Sequence, residues 1–148
     1  MSNHENYVLD ASVVMKWFIP EIYWEQAVIL QEFPESSLHI PDFAQLECTS
    51  ILSKKVRRNE LPLIKANHIQ TLLLQMPVQM HPWQELLLDA GQVAHETYRG
   101  VYDCLYLVLA KRLKGKMITA DKKLYLALKD SKAWGEHLLW IEHMNNDA

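Results

Sequence analysis

The sequence predicts an α/β fold of three layers, with helices on both faces of a parallel sheet. Two observations carry that prediction. Short runs of strand length alternate with longer helical patterns from one end of the chain to the other, which implies a parallel sheet covered on both sides. The first run, Tyr7-Val8-Leu9, is apolar at consecutive positions, as a strand buried on both faces is. The 148 residues suit one domain spanning 1–148. A chain of that size buries roughly 70% of its unfolded surface and needs no disulfide or metal to fold.

Tyr7 to Leu9 is the first strand. Ser12 to Phe18 and Glu21 to Phe33 read as helical, broken at Pro20. Leu38 to Ile40 is the second strand, ended by Pro41, which suits the first turn of the next helix, with Asp42 adding favourable charge there. That helix runs to about Asn59, and Phe43, Leu46, Ser50 and Ile51 share one of its faces. Leu61 to Gln75 is a further helix, with Ile64, Ile69, Leu72 and Leu73 apolar. Val78 to His81 is a third strand. Glu85 to Arg99 is helical, closed by Gly100 in the left-handed C-terminal position. Tyr102 to Leu113 is apolar on nearly every side and reads as a buried helix, ended by Gly115. Lys116 to Thr119, Lys122 to Leu128 and Leu138 to Ile141 complete the pattern as strand, helix and strand. Residues 1–6 and 145–148 are expected to fray.

Composition excludes several classes. Hydrophobic residues make up 49% of the chain, with four glycines and six prolines, an ordered composition without repeats. Cys48 and Cys104 lie in apolar helical runs and read as buried thiols of a reducing cytoplasm. The first residues carry no leader pattern, and no apolar run approaches the ~18 residues of a membrane span. The expected location is therefore cytoplasmic. The net charge of −3 does not advertise nucleic-acid binding, but ten of the 15 basic residues fall in three stretches. These are Lys54, Lys55, Arg57 and Arg58; Lys111, Arg112, Lys114 and Lys116; and Lys122 with Lys123. Such patches can follow phosphates, and can equally be solvated helix faces.

Four acids stand beside or inside apolar runs: Asp10, Glu47, Asp103 and Asp121. Acids are rarely buried unless paired or bound to a cation. Asp10 and Asp121 follow the carboxyl ends of predicted strands, where open α/β sheets bind ligands. Asp103 opens the buried helix. Glu47 lies about 40° around its helix from Phe43 and Ile51, on or beside the expected buried stripe. Each acid also has an ordinary reading: Asp10, Asp103 and Asp121 as helix caps, Glu47 as a boundary residue. Gathered together they would repel, and a divalent cation would relieve the repulsion. Oxygen ligands select Mg²⁺ or Mn²⁺ over zinc, and such an ion can activate water and steady phosphoryl charge.

The stretches around these acids are Val8 to Phe18, Ile40-Pro41-Asp42-Phe43 leading to Glu47, Val101 to Ala110, and Ile118 to Leu124. In that order and at that spacing the chain resembles the PIN-domain ribonucleases, most closely the VapC-like toxins of toxin–antitoxin pairs. The resemblance covers nearly the full length. It implies a five-stranded sheet ordered 3-2-1-4-5, with the acidic quartet on Asp10, Glu47, Asp103 and Asp121 holding Mg²⁺ and Ser12 and Thr119 supporting the site. It further implies hydrolysis of RNA to a 5′-phosphate and a 3′-hydroxyl, a homodimer, and silencing by a small antitoxin protein. Cys104 departs from the pattern, standing where Ala is more usual after Tyr-Asp.

The seven histidines show no H-x-H or helical pair spacing, so no zinc site is expected. Phosphate-loop, dinucleotide and hydrolase-elbow motifs are absent. Trp17, Tyr102 and Tyr106 could stack on bases, but their helical apolar context favours core positions. The reading is a Mg²⁺-dependent (or Mn²⁺-dependent) endoribonuclease, the toxin of a type II toxin–antitoxin system, with Lys54, Arg57, Arg58 and Lys122 guiding RNA. The alternatives are a stand-alone PIN nuclease for RNA processing and a non-enzymatic RNA-binding or scaffold module.

Overall fold

The computed structural model describes residues 5–144. Five parallel strands form one sheet: β1 (Tyr7–Leu9), β2 (Leu38–Pro41), β3 (Gln79–His81), β4 (Lys116–Thr119) and β5 (Leu138–Trp140). Their order, β3-β2-β1-β4-β5, is the 3-2-1-4-5 arrangement expected. The central strand β1 pairs with β2 through Tyr7 and Leu38, and with β4 through Leu9 and Ile118. The order reverses on either side of β1, so β1 and β4 open a crevice at their carboxyl ends. All three residues of β1 are buried, whereas the edge strand β3 exposes Gln79 and Met80.

The helices are α1 (Ala11–Met15), α2 (Trp24–Ile29), α3 (Phe43–Arg57), α4 (Leu63–Leu73), α5 (Leu87–Thr97), α6 (Val101–Arg112) and α7 (Lys122–Leu128). Helix α6 is the buried one, as its sequence predicts. Cys104 through Ala110 are all inaccessible, and the helix lies against β1, β2, β4 and α5. Cys48 and Cys104 are free and buried. No helix among the described residues is long and apolar enough to cross a membrane.

Several boundaries differ from expectation. The first helix stops at Met15, and the Glu21–Phe33 pattern becomes α2 followed by a single tighter turn at Leu30–Glu32. Pro41 ends β2 instead of opening α3, because the Asp42 N–H still donates to the His81 carbonyl of β3 and holds Pro41 in the ladder. Gly100 is not a left-handed cap. Tyr98 takes that conformation at φ 59°, and Gly100, at φ −63°, begins α6. Gly115 likewise leaves the left-handed position to Lys114 and is required for another reason: a Cβ there would collide with the Asn6 carbonyl, which accepts the Lys116 N–H.

The largest correction concerns α3. Its core-facing residues are Phe43, Ala44, Cys48 and Leu52, while Leu46 is 73% exposed and Ser50 is exposed. The stripe of Phe43, Leu46, Ser50 and Ile51 is a real helical face, but it forms one wall of an open groove. Periodicity identifies residues that share a face; it does not say which of two apolar faces meets the core, here against α1 and α4.

Beside the sheet's centre a polar chain crosses three strands. The Asn6 side chain donates to the Leu113 carbonyl, which turns its Oδ1 towards His39 Nε2 at 3.0 Å. His39 Nδ1 then meets His81 Nε2 at 2.9 Å. The tautomers follow from Asn6: His39 donates from Nε2 and accepts at Nδ1 from His81. Asn6, which falls in the segment expected to fray, is thus tied into the fold; residues 1–4 and 145–148 of the expected frayed ends lie outside the described residues.

Candidate metal centre

Asp10 leaves β1 directly into α1 and is buried, 6% exposed. Its carboxylate is held on both oxygens. Oδ1 accepts the Ser12 hydroxyl at 2.6 Å and the Val13 N–H at 3.0 Å; Oδ2 accepts the Thr119 hydroxyl at 2.9 Å. Thr119 closes β4 and is fully buried, and its Oγ1 also accepts the Asp121 N–H at 3.0 Å. One threonine therefore links the ends of two adjacent strands and the two acids that follow them.

Asp121 caps α7 by accepting the Leu124 N–H at 3.1 Å and is exposed. The capping reading thus describes Asp10 and Asp121. Asp103 instead stands in the first turn of α6, half-buried, with Gly100 at the cap position. Glu47 is half-buried on α3, and its Oε1 accepts the Tyr106 hydroxyl at 2.8 Å. Tyr106 is 1% exposed, so this phenol reaches from the core to hold the acid. Its apolar neighbours in the sequence hide that role.

Burial raises the pKa of the Asp10 carboxyl, outweighing its three hydrogen bonds, and repulsion from Asp121 adds to it. Glu47 is raised by burial and by Asp10, against the opposing bond from Tyr106. Asp103 is pushed up to about 6 by burial first, then by Asp10, Asp121 and Glu47, with Arg99 opposing. The acids therefore feel one another across the crevice. The ion pairs among the described residues join Lys55 to Glu60, Arg112 to Asp89 and His137 to Glu136, and none includes a member of the quartet. Arg99, outside every basic cluster and so inconspicuous in the sequence, contributes positive charge near Asp103, and its buried Nε has no hydrogen-bond partner.

Among the described residues no three His, Cys, Asp or Glu side chains are gathered closely enough to form a ready metal cluster. The chemistry of the set nonetheless fits a hard divalent cation: its donors are oxygens, three of its acids are destabilised as anions, and no lysine or arginine forms an ion pair with them. The basic candidates lie farther out. Lys54 is exposed on the same groove as Glu47, about 10 Å along α3 at 1.5 Å per residue. Arg57 and Arg58 are exposed at the far end of α3, where Arg57 bonds Ser53 at 2.6 Å, and Lys122 is exposed beside Asp121.

Comparison with known proteins gives the family of the chain. The PIN domain family profile matches residues 7–128, which include all four acids. Ribonuclease VapC3 of Pyrobaculum aerophilum is 32% identical over 119 residues, covering 79% of this chain and 90% of that protein. A toxin–antitoxin complex from Klebsiella pneumoniae contains a chain of like fold, with TM-score 0.59 and 13% identity over 83% of this chain and 92% of that one. A crystal structure from Pyrobaculum aerophilum superposes with TM-score 0.65 and 20% identity over 94% and 85%. The chain belongs to the PIN-domain family and is homologous to the VapC-type toxin–antitoxin ribonucleases.

Proposed function

We propose that this protein is a divalent-metal-dependent endoribonuclease acting as the toxin of a type II toxin–antitoxin pair. One observation carries the proposal: four carboxylates that repel one another, without ion pairs among the described residues, stand at the switch point of a PIN-domain sheet. The 32% identity to a protein named a ribonuclease supports the choice of RNA as substrate.

In this reading Asp10, Glu47, Asp103 and Asp121 hold Mg²⁺ or Mn²⁺. The ion supplies Lewis-acid chemistry, lowering the pKa of water and steadying charge on a phosphoryl oxygen. The remaining work belongs to the chain. Ser12 and Thr119 fix the Asp10 carboxylate in one orientation through both oxygens. Tyr106 positions Glu47. Arg99 lends positive charge beside Asp103, and Lys54 and Lys122 guide the backbone inward. A homodimer and a small antitoxin partner belong to the same proposal, by analogy with the VapC relatives.

The test is cleavage of RNA by the purified full-length protein, with ends mapped. Mg²⁺-dependent cuts leaving 5′-phosphates are expected, stopped by EDTA and restored by Mg²⁺. Undiminished cleavage by the Asp10→Asn, Asp103→Asn double variant would refute the metal-site reading. Growth arrest on induction of wild type but not of Asp10→Asn supports the toxin role; unchanged growth with both points to RNA processing.

A further inference from the structure

We propose that the groove along α3 is a subsite for one unpaired nucleobase of single-stranded RNA, with the ring of Tyr102 as its stacking shelf. This rests on the nuclease reading above.

The groove encloses about 490 Å³. Phe43, Leu46, Glu47, Ser50, Ile51 and Lys54 recur at helical spacing along one wall, and Tyr102 at the start of α6 stands on the other. Tyr102 is 61% exposed, unlike the other two aromatics expected to pack in the core. Tyr106 is buried with its hydroxyl on Glu47, and Trp17 is half-buried with its indole N–H given to the Ala27 carbonyl at 2.7 Å. Tyr102 therefore keeps a π-face open to solvent.

That ring is braced. Phe43, itself buried, lies 5.5 Å from it with the planes 30° apart, and Phe43 in turn lies 5.2 Å from Tyr106. A braced aromatic loses little entropy when a base stacks on it. The shelf immediately precedes Asp103, and Glu47 and Lys54 share its groove. An acidic centre repels a phosphate backbone, so RNA needs adhesion that is indifferent to charge close to the acids and a cation farther out. Stacking supplies the first, and Lys54, two turns of α3 beyond Glu47, the second. Phe43, Leu46 and Ile51 offer apolar surface to the face of a base, while Glu47, Ser50 and Lys54 set among them offer polar partners to its edge and its phosphate, a mixture that suits a nucleotide better than an apolar peptide face.

The experiment compares the full-length wild type, Tyr102→Phe, Tyr102→Leu and Tyr102→Ala on a short unstructured RNA in Mg²⁺. The same RNA is also used with one abasic nucleotide moved stepwise past the cleavage point. Tyr102→Ala and Tyr102→Leu should raise KM about tenfold to a hundredfold, the range for loss of one base–aromatic stack, with kcat little changed. Tyr102→Phe should match wild type. One abasic position should cost wild type the same factor and cost Tyr102→Ala nothing further, as a closed double-mutant cycle requires. Mn²⁺ affinity, measured calorimetrically, should be the same in all four proteins, which separates this subsite from damage to the acidic centre.

If wild type cleaves and Tyr102→Ala shows KM within about twofold of it, the subsite is overturned while the nuclease reading stands. If wild type cleaves no RNA, the nuclease reading itself fails. A change in sedimentation in Tyr102→Ala with KM preserved would assign the groove to a protein partner and overturn the base subsite.

Discussion

At the carboxyl ends of β1 and β4, acids are held near one another without ion pairs among the described residues, and burial first, then mutual repulsion, makes each protonate more readily where a shift is resolved. Across β1, β2 and β3, by contrast, Asn6, His39 and His81 form a polar chain in which every contact joins a donor to an acceptor. Burial lowers His39 to about 4, with His81 adding to the effect, and burial lowers His81 as well, so both rings are neutral. The two regions sit in one sheet and are built by opposite rules. A satisfied neutral network holds a fold together; a set of charges left in tension awaits something outside the chain.

The largest test of that contrast removes one group from each region. Asp10→Asn is nearly isosteric, yet it replaces one carboxylate oxygen with an NH₂ that only donates, so either Thr119 or the Ser12–Val13 pair loses its acceptor. We expect cleavage to fall by about a hundredfold or more, beyond the usual cost of losing a group that merely supports a metal ligand, with a native circular dichroism spectrum. His39→Leu should do the reverse. It leaves Asn6 Oδ1 and His81 Nε2–H, both half-buried, without their partner, lowering stability by about 1 kcal/mol, while cleavage per folded molecule is unchanged. A thermal melt beside an activity assay reads both. Equal activity losses in the two variants would erase the distinction.

The two regions were also unequally legible in the sequence. Asp10 and Asp121 stand out because each ends an apolar strand and opens a helix, and strand ends are where α/β sheets place sites. The histidine chain does not stand out, since His39 and His81 are far apart in sequence and meet only through the pairing of β2 with β3. The α3 stripe was visible as a periodicity, but its destination was not. A second, smaller stripe of Ala44, Cys48 and Leu52 packs in the core, and the larger residues line the groove. Gly100 and Gly115 show a similar ambiguity. A glycine after a helix signals either a left-handed turn or close approach, and here Tyr98 and Lys114 take the turns. Arg99 escaped because it belongs to no basic cluster, and the Tyr106 hydroxyl because its sequence neighbours are apolar.

A smaller effect probes the joint between core and centre. Tyr106→Phe removes the one hydrogen bond that the core lends to Glu47 while keeping the ring's contact with Phe43. Loss of such an outer contact should weaken Mn²⁺ binding roughly tenfold in calorimetry. Folding stability should change little, because Glu47 is half-buried and can reach water. An unchanged metal affinity would make Tyr106 a core residue only.

The subtlest expectation concerns acid, and here the two regions oppose each other in sign. Asp103 has a folded pKa raised to about 6, so in the metal-free protein the folded state binds more protons than the unfolded state below neutrality. Its contribution to stability therefore grows as pH falls from about 7 towards the ordinary carboxylate range. His39, lowered to about 4 from 6.5, behaves the other way: the unfolded state takes the proton first, so its contribution is lost as pH falls through the same window. In the wild type the two slopes oppose. Asp103→Asn removes one of three raised carboxylates, the others being Asp10 and Glu47, so its melting temperature should fall more steeply on acidification than that of the wild type. It should also gain about 1 kcal/mol at pH 7.5, after discounting for the solvent that screens a half-buried group. His39→Gln removes one of the two histidine contributions, that of His81 remaining, so its melting temperature should fall less than that of the wild type, or rise, as pH drops from 7 to 5. Mg²⁺ should abolish the carboxylate slope in the wild type and leave the histidine slope alone, since only the acids change partners when the ion binds. Parallel pH profiles for the two variants would mean that the acidic centre stores no electrostatic tension.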